Sequence, residues 1–209
     1  LGKNDIDAYQ NTFSLLFLIY FILTIVVFLI GEGIGPYIIV NYLKIPVVRI
    51  HAALWVYQFS LFSFCFTLIS TPYQASIIAN ERMGIFAFIG LFDAFGKLFL
   101  TIMLYWVYWD KLITYAIFIF FISVANFVIQ FWYCTRKIRG CIYRRYWNRK
   151  LFSEILGYTG WNLFGAVSAT FSTSGLSVVL NIFFGPLINA AKGIADRVNA
   201  IVVSFSTNF

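Results

Sequence analysis

Charged side chains are scarce in this sequence. Only 11% of the 209 residues are Asp, Glu, Lys or Arg, whereas soluble domains carry about 25%. With 61% of the residues hydrophobic and a mean hydropathy of +0.85, a water-soluble core could not hide the apolar surface. His51 is the sole histidine, and Cys65, Cys134 and Cys141 lack metal-ligand spacing, so no metal site is expected. No Ser or Cys nucleophile has a base nearby, and no enzyme signature emerges. Gly31, Gly33, Gly35 and Pro36 follow no strand and precede no basic phosphate cradle, so they read as a helix end and not as a nucleotide loop. The cysteines read as small apolar or interfacial residues, with no disulfide expected.

Long apolar runs fill the space that charge leaves. A bilayer requires every backbone polar group to be bonded internally, which only helices and closed barrels achieve. Barrel strands need about 9–11 residues of alternating polarity, and these runs are longer and uniformly apolar. The expected fold is therefore all-α, a polytopic transmembrane helical bundle with about six spans. They run over residues 12–30, 52–73, 84–108, 112–133 and 156–184, with a sixth from about Leu187. No signal-peptide pattern opens the chain, and it stops inside an apolar stretch, so a piece of a longer protein is expected.

Orientation follows from Lys and Arg in the short connections, because positive loops stay cytoplasmic. One side of an alternating topology holds Lys3, Arg82, Arg136, Lys137, Arg139, Arg144, Arg145, Arg149 and Lys150; the other holds Lys44, Arg49 and Lys111. The first side is assigned to the cytoplasm. The formal charge of +7 is concentrated beside apolar spans, where anionic membrane lipid is the nearer partner and no nucleic acid is expected. Residues 136–150 interleave their cations with Ile138, Ile142, Tyr143, Tyr146 and Trp147, as an interfacial amphipathic helix or a solvated basic loop would.

Polar residues inside spans are the candidates for function, since an intramembrane charge is expensive and faces a partner or water. Asp93 and Lys97 stand four apart on the third span, on one face and in the favourable order for an ion pair. They form either a structural pair or the charged wall of a cavity. Ser123, Asn126 and Gln130 make a polar stripe on the fourth span. Asn162, Gly165, Ala166, Ala169 and Thr173 share a face of the fifth, with the spacing of a packing seam. Lys192, Asp196 and Asn199 line up on the sixth, beside Arg197. That stripe either lines a hydrated cavity or snorkels to the interface.

Several phrases carry a resemblance: LGKNDIDAYQNTFS before the first span, WVYQFS within the second, PYQASIIANERM after it, and GWNLFGA followed by NIFFGPLINAAKGIADRVNAIVVSF. Over essentially its whole length the chain resembles bacterial polysaccharide biosynthesis and O-antigen flippase-like proteins of the multidrug/oligosaccharidyl-lipid/polysaccharide exporter superfamily. The resemblance implies a MATE-like fold of two six-helix lobes around a central cavity, working by alternating access in the bacterial cytoplasmic (inner) membrane. On that pattern residues 1–134 supply spans three to six of the N-terminal lobe, 135–151 the basic cytoplasmic inter-lobe linker, and 152–209 the start of the C-terminal lobe. The implied substrate is an undecaprenyl-diphosphate-linked oligosaccharide, flipped for surface polysaccharide biosynthesis.

In such a cavity Lys97, Lys192 and Arg197 would meet the diphosphate or acidic sugars, with Asp93 in the same charged wall. Asn162, Asn126 and Gln130 would meet sugar hydroxyls. No cofactor is implied beyond a coupling sodium ion or proton. Asp196 and Arg197 depart from the family pattern, which has neutral polar residues there. Two other readings stand beside this one: a cation-coupled multidrug exporter of the same superfamily, with acidic cavity residues, and a membrane-embedded polysaccharide-assembly enzyme, which would need catalytic carboxylates on a large loop.

Overall fold

A computed structural model describes residues 6–43, 45–144, 146, 148–150, 152–153, 155, 157 and 175–207. Among them all regular structure is helical: α1 (Ile6–Asn41), a 3-10 turn (Val47–Arg49), α2 (Ile50–Ala79), α3 (Met83–Trp106), α4 (Lys111–Lys137), α5 (Gly175–Phe184) and α6 (Pro186–Thr207). Four stretches are long and apolar enough to cross a membrane: Ile6–Asn41, Val47–Ala79, Met83–Trp106 and Lys111–Lys137. Their outward faces stay apolar, with Leu29, Phe95 and Phe99 each about two-thirds exposed. Lipid accommodates such a surface, and the chain is a helical membrane protein.

The chain divides into two compact units, Leu1–Pro36 with His51–Ser153, and Tyr37–Ile50 with Glu154–Phe209. The first holds the bundle. The three-residue connection Asn80–Arg82 makes α2 and α3 sequential antiparallel neighbours. Its Glu81 adopts a left-handed conformation (φ 54°) that lets the Arg82 amide bond back to the Ile77 carbonyl, 3.0 Å away. Asp110 caps α4 by accepting from the Leu112 amide. Arg136 and Lys137 sit in its last turn, where cations complement the helix dipole.

At the end of the bundle that carries these cations, Phe13, Tyr73, Ile77, Cys134, Ile138 and Cys141 form the core. Tyr73 is the hub. Its ring meets Phe13, Phe17, Phe127 and Phe131 at centroid distances of 5.4–6.1 Å. Farther along, Phe120 of α4 lies among Phe59, Phe62 and Phe66 of α2.

One feature differs from the expectation. The first span does not end at Gly31; α1 continues through Pro36 to Asn41. The glycines are packing positions. A Cβ on Gly35 would overlap the Tyr57 ring, and one on Gly31 would lie 2.8 Å from Leu61. The Tyr57 hydroxyl donates to the Gly31 carbonyl at 2.7 Å. Small residues thus bring α1 and α2 together, and neighbouring helices re-satisfy backbone groups around an intramembrane proline.

Residues 138–144, open in sequence to reading as an interfacial amphipathic helix or as a basic loop, are not helical. They turn at Gly140 (φ +93°), whose left-handed backbone suits glycine, and pack against the start of α1. Gln10 Nε2 donates to the Ile142 carbonyl, the Arg144 amide donates to Ser14 Oγ, and Tyr9 Oη lies 3.4 Å from Cys141 Sγ. Burying Ile138 and Cys141 against α1 wins over laying them in the interface.

In the second unit, α5 closes at Gly185 (φ +84°), whose amide donates to the Asn181 carbonyl, and Pro186 opens α6. Proline at the first helical position and a left-handed glycine before it are standard punctuation. The expected sixth span corresponds to α6, which is not among the four membrane-length apolar stretches because Lys192, Asp196 and Arg197 crowd its 22 residues. The expected fifth span lies mostly outside the described residues, as do Arg145 and Trp147 of the linker.

Candidate functional site

The first unit contains a polar cavity of about 360 Å³ between three apolar helices. Thr67, Ser70 and Gln74 reach it from α2; Phe86, Ile89, Gly90, Asp93 and Lys97 from α3; Ile119, Ser123, Asn126 and Gln130 from α4. At 1.5 Å rise per residue, its lining on α3 runs from about 4 Å to about 21 Å from the helix start. Along the helix axes the cavity lies within the membrane-length span, towards the Arg82 end, and it is half open, with Lys97 and Phe86 exposed.

Asp93 organises the chemistry. One carboxylate oxygen accepts from Lys97 Nζ at 2.6 Å, and the other accepts from Asn126 Nδ2 at 3.1 Å. A carboxylate can only accept, so the Asn126 amide must turn its nitrogen towards Asp93. Its Oδ1 is then left buried with no donor among the described residues, and so is Oε1 of Gln130, a residue only 6% exposed. A buried acceptor without a donor costs about 1–3 kcal/mol, which favours any occupant able to donate.

The hydroxyls add to this bias. Thr67, Ser70 and Ser123 each spend their hydrogen on a carbonyl of their own helix, those of Ser63, Thr67 and Ile119. Their lone pairs are what they retain for the cavity. The site is consequently rich in acceptors and, with Asp93 and Lys97 offsetting each other, close to neutral.

The structure thus brings together Asp93, Lys97, Asn126 and Gln130. Lys97, expected to meet an anion, is held by the carboxylate. Lys192 and Arg197 belong to the second unit; Lys192 is paired with Asp196 on α6 and Arg197 is exposed. Asn162, with Gly165, Ala166, Ala169 and Thr173, lies outside the described residues. The contribution of α2 was missed, although Ser63, Thr67, Ser70 and Gln74 recur at helical spacing and mark a polar face. A second polar bridge was also missed: Gln58 Nε2 of α2 donates to Glu32 Oε2 of α1 at 3.0 Å.

No protein-family model, curated protein or solved structure matches this chain.

Proposed function

We propose that this protein is a transporter that flips an undecaprenyl-diphosphate-linked oligosaccharide across the bacterial cytoplasmic membrane, by alternating access within a MATE-like two-lobe fold. The observation that carries the reading is the half-open cavity lined by polar side chains, with its Asp93–Lys97 pair, among helices whose outward faces are apolar. A diphosphate and its sugars cannot cross hydrocarbon unaided, and a polar path between helices lowers that barrier. The phrases resembling flippase-like proteins point the same way. The exposed cations Arg136, Lys137, Arg139, Arg144, Arg149 and Lys150 would meet anionic lipid at the inner leaflet, about 1 kcal/mol each near the surface.

A cation-coupled drug exporter is the second reading, favoured by the same Asp93 and the two carbonyl oxygens without donors. Surface-polysaccharide complementation at matched expression separates the two. Asp93→Ala, Lys97→Ala and Gln130→Ala should lower surface glycan severalfold while membrane levels hold. Full glycan production in all three, together with drug sensitivity on deleting the protein, would favour the exporter.

A further inference from the structure

We infer that the cavity between α2, α3 and α4 is a sugar-reading subsite, in which Gln130 and Asn126 select the substrate by accepting hydrogen bonds from its hydroxyls. The inference rests on the flippase reading and deepens it: the pocket holds the glycan and not the diphosphate.

Charge is the first argument. An anion needs free donors or an unpaired cation, and among the described residues the one cation lining this cavity, Lys97, lies 2.6 Å from the Asp93 carboxylate. Among the described residues the buried unmet capacity is of the opposite kind. Asn126 Oδ1 and Gln130 Oε1 are buried without a donor, and the hydroxyl hydrogens of Thr67, Ser70 and Ser123 are committed to their own helices.

Size and local charge narrow the class further. About 360 Å³ falls in the range of small-molecule pockets and far exceeds what one desolvated ion fills. A second cation at the carboxylate would also sit beside the Lys97 ammonium. A sugar fits on each count, because it is neutral and its hydroxyls both donate to the stranded carbonyls and accept from whatever Lys97 hydrogens remain. Phe86 and Ile89 offer apolar surface for the C–H face of a ring. The cavity lies on the Arg82, Arg136 and Lys137 side of the bundle, assigned to the cytoplasm by charge, where a lipid-linked sugar would be loaded.

Reading hydroxyls makes selectivity the diagnostic quantity, since a site built to bond a hydroxyl rejects the analogue that lacks it. The experiment uses the purified protein in proteoliposomes and follows flipping of undecaprenyl diphosphate carrying one glucose, its 2-, 3-, 4- and 6-deoxy analogues, and the bare lipid diphosphate. One lost hydrogen bond to a buried acceptor corresponds to about 5- to 150-fold. Wild type should therefore disfavour at least one deoxy analogue by that margin. Gln130→Met, which keeps side-chain length and packing, should bring that ratio to within about threefold, and Asn126→Leu serves as the second variant.

Equal transport of all analogues by wild type would overturn the inference while leaving the flippase reading intact. So would a Gln130→Met protein that slows on every substrate with its preferences unchanged, which marks a structural role. A shift in sodium dependence with unchanged sugar preference would place an ion there instead. Failure of wild type to flip any of these lipids would remove the flippase reading itself, and the inference with it.

Discussion

Gly35 and Gly33 differ by half a helical turn in position and by their whole surroundings. A methyl on Gly35 meets the Tyr57 ring, which is tied by its hydroxyl to the Gly31 carbonyl and cannot swing away without breaking that bond. At Gly33 a methyl meets nothing within 4 Å. Gly35→Ala should destabilise the protein by about 1–3 kcal/mol, the range for overpacking. Gly33→Ala should be neutral or stabilise by up to about 1 kcal/mol, the helix-propensity gain. Thermal unfolding in detergent reads both, and a fall in Tm for Gly33→Ala equal to that for Gly35→Ala would count against the packing described. Tyr73, 4% exposed and in contact with four aromatic rings, should be costlier to lose. Tyr73→Ala should remove about 3–5 kcal/mol by the same measurement, as large aromatic truncations do.

Elements were legible where one signal dominates. The ends of α2, α3 and α4 fall within six residues of the apolar runs because no competing interaction decides them. The end of α1 was not legible, since Gly31, Gly33 and Gly35 read locally as breakers and only the position of Tyr57 on another helix shows why they are there. Residues 138–144 stay ambiguous in sequence for a related reason. Their mixture of cations and apolar side chains is equally compatible with lying on a membrane and with docking, and the partners Tyr9, Gln10 and Ser14 stand about 130 residues earlier. The docking is testable. Replacing both Gln10 and Ser14 by Ala removes two anchors of the segment, and trypsin should then cut at Arg139 and Arg144 several times faster while α3 and α4 stay intact. Unchanged cleavage would mean that burial of Ile138 and Cys141 alone holds the segment. Those anchors are short-range in space but long-range in sequence, the kind of contact that a window of neighbours cannot contain.

For the whole molecule, composition alone identified a helical membrane protein, and four of the expected spans correspond to membrane-length helices. The candidate site was half legible. The stripes Asp93/Lys97 and Ser123/Asn126/Gln130 were visible as single-helix patterns, but that they face one cavity, with α2 as its third wall, is a fact of packing. Most consequential is the state of Lys97. In sequence it is either half of a structural pair or part of a cavity wall; in the structure it is paired with Asp93 and also lines the cavity, and the acceptors around it set the character of the site.

If α2, α3 and α4 frame a transport site, the half-open cavity between them is wet and not a dry packing seam. Cysteine reactivity measures this directly, because a thiol must ionise to react and ionises only in contact with water. Gly90 lines the cavity, and a Cβ there meets nothing within 4 Å. Gly90→Cys and Ser123→Cys should therefore fold normally and react with a membrane-impermeant maleimide applied to the cytoplasmic face of membrane vesicles. The outward-facing Phe95→Cys should stay unlabelled, and the native Cys65, Cys134 and Cys141, 8%, 0% and 1% exposed, should keep the parent protein at baseline. Labelling of the two cavity positions above that baseline is the predicted result; protection of both, equal to that of Phe95→Cys, would contradict the account.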